Sequence, residues 1–261
     1  MRAPRSALII LFLTLLFLLG PFVILFWSSF GTQASLAFPP EGFTVYWFKK
    51  VLGMRMFVDA FRVSVLLALS STAAALLLGI PAAYALVRFS FPGRSFLELL
   101  FTSPIIVPGL VLGFALLRFF TAAARYPVSL RLFLGHMVLL FPYTVRVISA
   151  SLRNFDPTVE EAAVSLGAPR WLAFLRVVLP NLRAGVMAAF ILAFITSFNN
   201  VPVSLFLSGP GVTTLPIQML TYMEYYYDPT IAALSTLLIL FTVVIIQLVE
   251  KTLGLSTTLG G

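Results

Sequence analysis

The sequence predicts an all-α integral membrane protein, a helical bundle with six transmembrane helices. Of its 261 residues, 60% are hydrophobic and 10% are charged, and the mean hydropathy is +1.04. Because average soluble domains have about 25% charged residues, this chain has too few to cover a surface that faces water. Six apolar blocks meet or approach the roughly 20 residues that cross a bilayer core. They are Leu8–Trp27, Val63–Val87, Leu99–Phe120, Leu132–Ala150, Ala184–Leu207 and Ile231–Val249.

The first block is interpreted as an uncleaved signal-anchor helix. It follows Arg2 and Arg5, as the apolar part of a secretory signal peptide would. A cleaved signal has an apolar stretch of about 7–15 residues, whereas this block is longer and lacks a small-residue cleavage pattern.

Helix-breaking residues recur inside the later blocks. Membrane helices tolerate them because neighbouring helices can satisfy the freed carbonyls, and such kinks suit helices that rock or open. These residues are Gly79 and Pro81 in the second block, Pro104, Pro108 and Gly109 in the third, Pro142 in the fourth and Pro202 in the fifth.

The basic residues orient the predicted bundle. With the N-terminus inside, ten Lys and Arg residues lie on the cytoplasmic side and seven lie outside. Short cytoplasmic loops carry the excess of positive charge in membrane proteins, so we expect both termini in the cytoplasm. The same distribution explains the net charge of +8. A nucleic-acid partner is not indicated, because the sequence has no basic run with interleaved aromatic residues.

Composition argues against catalysis and against metal or cofactor binding. The chain has no cysteine and one histidine, His136, which we expect to be packed or interfacial because a metal site needs several donors. The chain shows no paired carboxylates and no nucleophile–base pair, which an intramembrane enzyme would need. The phosphate-binding pattern Gly-x-x-x-x-Gly-Lys-Ser/Thr is also missing. Any ATP hydrolysis must therefore belong to a separate subunit.

The stretch between the fourth and fifth blocks carries strong helix-boundary signals. Asp156 is a favourable N-cap residue, and Pro157 follows at the first helical position, where its missing N–H costs nothing. Gly167 stands where a left-handed C-cap would end the helix. These signals predict a short helix over residues 157–166.

A second amphipathic helix is predicted over Trp171–Val178, with Pro180 ending it before the fifth block. A simple connection between spans needs only a few residues, so two capped helices here indicate a docking surface for another protein. Ala162 and Ala163 would allow close approach, and the adjacent acids would contact Arg, Lys or backbone N–H groups of the partner. A solvated loop with incidental helix signals is the alternative.

The segment "EEAAVSLGAPRWLAFLRVVLP" resembles the EAA loop of type I ABC importer permeases, which have the MetI-like fold. That pattern is Glu-Ala-Ala, three residues, Gly, nine residues, an aliphatic residue, one residue, then Leu-Pro. Val177 replaces the usual Ile. The matching residues are Glu161, Ala162, Ala163, Gly167, Val177, Leu179 and Pro180.

The resemblance covers about residues 61–250 and implies a division of the chain. Residues 1–60 would hold the N-terminal transmembrane helix and the first periplasmic loop. Residues 61–250 would be the permease domain, with a cytoplasmic coupling loop at about 151–183, and residues 251–261 a short cytoplasmic tail. In the family, the helix of this loop inserts into a cleft on the cytoplasmic ATPase. The ATPase-coupling residues implied here are Glu160, Glu161, Ala162, Ala163, Leu166 and Gly167.

The resemblance also implies the partners and the location. They are a cytoplasmic ABC ATPase dimer, a second permease subunit, expected to be a related chain, and a periplasmic solute-binding protein. The chain would be a multi-pass protein of the bacterial inner membrane. An ATPase-independent channel or secondary transporter is the alternative from another class. Such a protein would need ionisable residues near the midplane and an inverted repeat, and neither is evident.

The most polar intramembrane stretch is "ITSFNNVPVSLF" in the fifth block. Two adjacent amides are expensive in hydrocarbon unless they face the bundle interior, where they could contact a solute or join helices. The predicted substrate-pathway residues are Ser197, Asn199, Asn200 and Ser204.

The solute is predicted from the tail of the chain. Residues 197–255 are similar to the polyamine (spermidine/putrescine) branch, which favours a polyamine-like solute. Acids are common in that branch at the positions of Asn199 and Asn200. An opine, an amino-acid derivative or another small organic solute therefore stays open as the alternative.

Overall fold

The computed structural model describes residues 4–123 and 126–253, and these residues form helices and no β-strand. Gly209 and Val212 form an isolated antiparallel bridge. A 3-10 turn spans Ser103–Ile105 and a π-helical turn spans Phe174–Val178. The α-helices are α1 Arg5–Ser28, α2 Tyr46–Gly53, α3 Arg55–Arg88, α4 Arg94–Thr102, α5 Gly109–Ala123, α6 Val128–Asn154, α7 Pro157–Ser165, α8 Arg170–Ala173, α9 Leu179–Asn181, α10 Arg183–Phe198, α11 Pro202–Leu207, α12 Leu215–Tyr225 and α13 Thr230–Leu253.

The chain divides into two compact units. The first contains the residues up to Val58 and those from Met219 onward, and the second is Asp59–Gln218. Residues 254–261, most of the predicted tail, lie outside the described residues.

In the first unit, α1 runs without interruption through Gly20 and Pro21 and is apolar around its whole circumference. Nearly all of its side chains are exposed, and it lies beside α13. A helix that is hydrophobic on every side is typical of a membrane span. This arrangement agrees with a first transmembrane helix.

A polar network joins α2 to the start of α13 within the same unit. The Lys50 ammonium lies 2.6 Å from Asp228 Oδ2, and the Tyr222 hydroxyl donates to the same carboxylate at 3.0 Å. The Thr230 backbone N–H donates to Asp228 Oδ1 at 3.0 Å. Burial disfavours the charge of both ionised groups, but these hydrogen bonds outweigh it. They raise the pKa of Lys50 above 10.5 and lower the pKa of Asp228 below 3.8.

The network should therefore stabilise the folded protein fully between pH 3.8 and pH 10.5. The contribution of Asp228 is complete above pH 3.8 and is lost as the pH falls through its folded-state pKa. The contribution of Lys50 is complete below pH 10.5 and is lost as the pH rises through its folded-state pKa. We expect Lys50→Met to lower the Tm at pH 7 by about 1–3 °C, as a partly exposed ion pair allows. Thermal unfolding in detergent from pH 3 to 7 measures this.

The difference between Lys50→Met and the unchanged protein should shrink as the pH falls below 3.8 toward the lowered folded-state pKa of Asp228. Lys49→Met is the matched control, because Lys49 is exposed and has no ion-pair partner among the described residues. An equal Tm loss from both variants would contradict the role of the network.

The second unit contains two long continuous helices and two bent pairs. By length and composition, α1, α3 and α6 can each cross a membrane, and the described residues offer up to five spans if each bent pair is one. The predicted third span is one of these pairs. It breaks between Ile105 and Gly109, and its two halves meet at 104°. The break falls at the helix-breaking residues that the sequence places inside this block, because Pro108 lies in the break and leaves no N–H to continue the helix.

The predicted fifth span is also interrupted. α10 ends at Phe198 and α11 begins at Pro202, so residues 199–201 form a break. The sixth predicted span corresponds to α13, which is apolar over Thr230–Ile245.

Close contacts at small residues hold the second unit together. α10 packs against α6 where Gly185 faces Ser151, and α3 meets α6 where Gly79 faces Thr144. Any Cβ at these glycines would overlap the facing side chain. Small residues let membrane helices approach closely, so these glycines determine the spacing of the bundle. The buried cluster beside them is Leu76, Ala83, Leu86, Val145, Ile148, Leu152, Val178, Leu182 and Ala189.

Candidate functional site

The segment over residues 155–182, called the α7–α9 segment below, begins with a capped helix. Asp156 accepts a hydrogen bond from the backbone N–H of Thr158 at 2.9 Å, and Pro157 occupies the first turn. That backbone bond lowers the pKa of Asp156 below 3.8, so the cap is ionised at neutral pH. The helix predicted over residues 157–166 is confirmed as α7.

Gly167 ends α7 in the way that the sequence predicts. Its φ is +95°, its N–H donates to the Val164 carbonyl at 3.0 Å, and the N–H of Ala168 donates to the Ala163 carbonyl at 3.1 Å. These two bonds form a Schellman motif. A residue with a Cβ costs roughly 1–2 kcal/mol more than glycine in this left-handed conformation.

The two adjacent acids of α7 have different surroundings. Glu160 is buried, accepts a hydrogen bond from the Tyr84 hydroxyl through Oε1, and places Oε2 3.2 Å from Arg88 Nε as an ion pair. Both partners lie near the end of α3. Glu161, in contrast, is exposed. Glu160 therefore attaches α7 to the bundle, and Glu161 is accessible from outside.

The exposed surface of α7 combines a charge, small residues and one large apolar side chain. Ala162 and Gly167 are exposed, and Ala163 is half-buried. Leu166 is 90% exposed and Trp171, just beyond the turn, is 65% exposed. An exposed acid, small residues and a protruding apolar side chain therefore occur together on this surface of α7.

The second half of the α7–α9 segment is longer than predicted. The expected helix over Trp171–Val178 is present as α8 and the π-helical turn, but Pro180 does not end it. Helical structure continues through α9 to Asn181, and the 71° bend falls before Arg183. α9 follows directly after the π-helical turn, and helical structure continues past Pro180 although its ring provides no N–H. The expectation that Pro180 ends this helix is therefore wrong.

Two of the predicted pathway residues lie in one buried polar cluster. Ser197 and Ser204 are 3% and 0% exposed, and each contacts the imidazole of His136, which is fully buried on α6. His136 Nδ1 lies 2.8 Å from Ser197 Oγ, and Nε2 lies 3.1 Å from Ser204 Oγ. The Ser71 hydroxyl of α3 lies 3.3 Å from that of Ser197. The expectation of a packed histidine is confirmed.

The two asparagines bond to the backbone of their own segment. Asn199 is exposed, and its Nδ2 donates to the Ile195 carbonyl at 3.2 Å. Asn200 is half-buried, and its Oδ1 accepts from the N–H of Val203 at 2.9 Å. Asn200 thus satisfies an N–H at the start of α11 that no helical carbonyl reaches.

Sequence reasoning missed three functional features. They are the residues Tyr84 and Arg88, and the contacts through which His136 bridges two serines. Tyr84 and Glu160 are 76 residues apart, and no local pattern pairs residues at that separation. A weak signal existed for His136, because Ser197 and Ser204 are seven residues apart and would share one helix face.

A cavity of about 600 Å³ lies between α3, α4 and α6. Arg153 and Glu98 form an ion pair of 3.1 Å at its wall, and Arg146 lines it without an ion-pair partner in the described part of the chain. Guanidinium charge is therefore in excess in this cavity. In residues 4–123 and 126–253, no group of three His, Asp or Glu side chains could hold a metal ion.

These features define a multi-pass helical membrane subunit with a capped helix pair between its fourth and fifth predicted spans. The chain belongs to the family of binding-protein-dependent transport system inner membrane components, whose family model matches residues 75–253. The predicted family is thereby confirmed, and the chain is a membrane-embedded permease component.

Curated relatives cover most of the chain. The putrescine transport system permease protein PotI of Escherichia coli K12 is 32% identical over 245 residues, covering 91% of this chain and 86% of its own. The spermidine/putrescine permease PotC of the same strain is 28% identical over 239 residues, covering 90% of each chain. The sulfate transport system permease protein CysT of that strain is 31% identical over 224 residues, covering 77% of this chain and 80% of its own.

Solved structures confirm the predicted fold. A chain of a bacterial ABC transporter involved in the import of the acidic polysaccharide alginate matches with a TM-score of 0.73 and 16% identity, covering 96% of this chain and 99% of that one. A chain of the MetNI methionine ABC transporter matches with a TM-score of 0.59 and 19% identity, covering 76% and 92%.

Proposed function

We propose that this chain is the permease subunit of an ATP-binding-cassette importer that carries a polyamine-like small solute across the bacterial inner membrane. The observation that carries the proposal is the geometry of α7. One acid, Glu160, attaches the helix to α3, while Glu161 and the protruding Leu166 face outward. ATP hydrolysis belongs to a separate cytoplasmic subunit, onto which this surface docks.

The attachment of α7 allows movement of the ATPase to reach the spans. Glu161 pairs with a cation or backbone N–H of the ATPase, and Ala162 and Ala163 allow close contact. Leu166 fills an apolar pocket of the same partner. A pull on α7 is transmitted to the end of α3 through Glu160, which accepts a hydrogen bond from Tyr84 and forms an ion pair with Arg88.

The remaining partners and the orientation follow from this role. The α7–α9 segment lies in the cytoplasm together with both termini, as the distribution of basic residues favours. A second, related permease subunit completes the pathway, and a periplasmic binding protein delivers the solute. We retain the division into residues 1–60, 61–250 and 251–261. ATP binding favours one of two pathway conformations, because it stabilises them unequally.

The relatives PotI and PotC, named for putrescine and spermidine/putrescine, support a polyamine-like solute. Our prediction places Ser197, Asn199, Asn200 and Ser204 along its path. The exposed amide of Asn199 is the most accessible of these polar groups.

A second candidate, an opine, an amino-acid derivative or another small organic solute, rests on the cavity between α3, α4 and α6. Its excess guanidinium, from Arg146, would repel a dication and attract a carboxylate. The relative CysT, named for sulfate transport, supports this second candidate.

The first test is purification of the tagged chain from detergent-solubilised membranes, with identification of the proteins that accompany it. We expect an ATPase with a Walker motif and a second permease. Leu166→Asp should remove the ATPase from the complex, because a carboxylate would enter an apolar pocket. Leu166→Met should retain it, because that substitution conserves volume.

The accompanying binding protein would then be screened against putrescine, spermidine, opines and sulfate. Recovery of the chain alone, with α7 intact, would overturn the importer proposal and favour an ATPase-independent channel. Binding of an anion without polyamine binding would overturn the polyamine assignment alone.

A further inference from the structure

The His136 bridge, defined as His136 with Ser197 and Ser204, joins the two halves of a broken helix. Ser197 belongs to α10 and Ser204 to α11, and residues 199–201 form the break between them. His136 belongs to a third helix, α6, and bonds to one serine through each ring nitrogen, at 2.8 and 3.1 Å. The two half-helices are thus tied to each other through one side chain.

Both bonds are needed to satisfy the two buried ring nitrogens of His136. A neutral imidazole has one donor and one acceptor nitrogen, and a serine hydroxyl can take either role. All three side chains are at most 3% exposed, so water cannot replace a lost bond without entering the bundle. Leaving a buried polar group unpaired costs free energy. This cost keeps α10 and α11 in a fixed position relative to each other.

The surroundings of the bridge hold α11 against its neighbours. Gly135, adjacent to His136, faces Leu207 of α11, and Gly113 of α5 faces the Pro202 backbone carbonyl. α10 is held separately, through its packing on α6. The backbone connection between α10 and α11 is the short break itself, where the Asn200 side chain bonds to the Val203 N–H.

We propose that His136 is a positioning residue that sets the orientation of the 199–201 break in the solute pathway. The proposal rests on the proposed function, because it takes this break to lie along the path of the solute. His136 does not contact the solute. It fixes the angle between α10 and α11, and thereby the position of the exposed Asn199 side chain.

Conservative substitutions can separate bridging from simple packing. The amide of His136→Asn lies near the position of Nδ1 and retains a partner for Ser197, while the longer His136→Gln reaches toward Ser204. Each variant keeps one bond and severs the tie between the half-helices. Ser197→Ala and Ser204→Ala sever the same tie from the other side.

Uptake of radiolabelled putrescine by the intact reconstituted complex gives the first readout. We expect the two His136 variants to raise KM about fivefold, the factor that corresponds to one hydrogen bond, with Vmax per assembled complex nearly unchanged, and the two serine variants to raise KM by at least as much. Ser71→Ala is the matched control. Ser71 is equally buried and touches Ser197 at 3.3 Å, but it lies on α3 and does not span the break.

A second readout is independent of transport. Because the chain has no cysteine, Asn199→Cys introduces a unique thiol of this subunit at the break. Its labelling rate by a maleimide should rise severalfold when Ser204→Ala is added and stay unchanged with Ser71→Ala. If His136 variants fail to assemble, the serine variants carry the same test.

An equal change in KM or labelling from Ser71→Ala would overturn the proposal, because the cluster would then act only through general packing. Unchanged labelling in the Ser204→Ala background would also overturn it. Absence of putrescine uptake by the unchanged complex, with the labelling pattern as expected, would contradict the polyamine assignment and leave the positioning role supported.

Discussion

Replacement of Glu161 by lysine is expected to abolish solute-stimulated ATP hydrolysis in the reconstituted complex and to leave membrane insertion intact. Glu161 is exposed on α7, and no ion pair within the described chain depends on it. Reversing its charge would place a cation against the cation or backbone N–H that the ATPase is proposed to present to Glu161. Stimulation should fall more than about 30-fold, the lower end for breaking a desolvated interfacial charge pair. ATPase assays with and without loaded binding protein measure this.

The neighbouring acid provides the matched comparison. Glu160→Gln removes the ion pair with Arg88 but leaves the exposed surface of α7 unchanged. We expect it to loosen the α7–α9 segment, seen as faster proteolysis within residues 155–182, while the ATPase still co-purifies. Normal stimulation in Glu161→Lys would contradict the docking role of α7.

Gly185→Ala is expected to cause the largest loss of folded protein among single-methyl substitutions in the second unit. A Cβ at this position would lie 2.6 Å from the Ser151 Cβ and closer still to its hydroxyl oxygen. α10 and α6 would have to separate, and their packing buries Ala189, Ile148 and Leu152. Overpacking of this kind costs about 1–3 kcal/mol. The yield of monodisperse protein after detergent extraction, and its Tm, measure the effect.

Two variants test whether this effect is local. Gly20→Ala should be neutral or slightly stabilising, because no atom lies within 4 Å of the added methyl group and alanine favours the helix. The double variant Gly185→Ala with Ser151→Gly removes the facing side chain and should recover most of the lost yield. A Gly185→Ala protein as stable as the unchanged one would show that the helices do not approach as closely as described.

Local chemistry made α7 predictable. Asp156, Pro157 and Gly167 act on atoms within five residues of themselves, as an N-cap, a first-turn residue and a left-handed C-cap. The membrane class was equally accessible, because it follows from the length and composition of the apolar blocks. The span ends were less predictable, since Pro108 and Pro202 could kink a span or break it, and neighbouring helices decide which.

By itself, the sequence determined the all-α membrane class, the family and the two ends of α7, because each depends on composition or on residues close together in the chain. Only the tertiary structure decided that Glu160 points inward while Glu161 points outward, since the partners of Glu160 lie on α3. Only the tertiary structure placed His136 between Ser197 and Ser204. Contacts between distant parts of the chain depend on how the helices pack, and helix packing follows from side-chain shape summed over many neighbours.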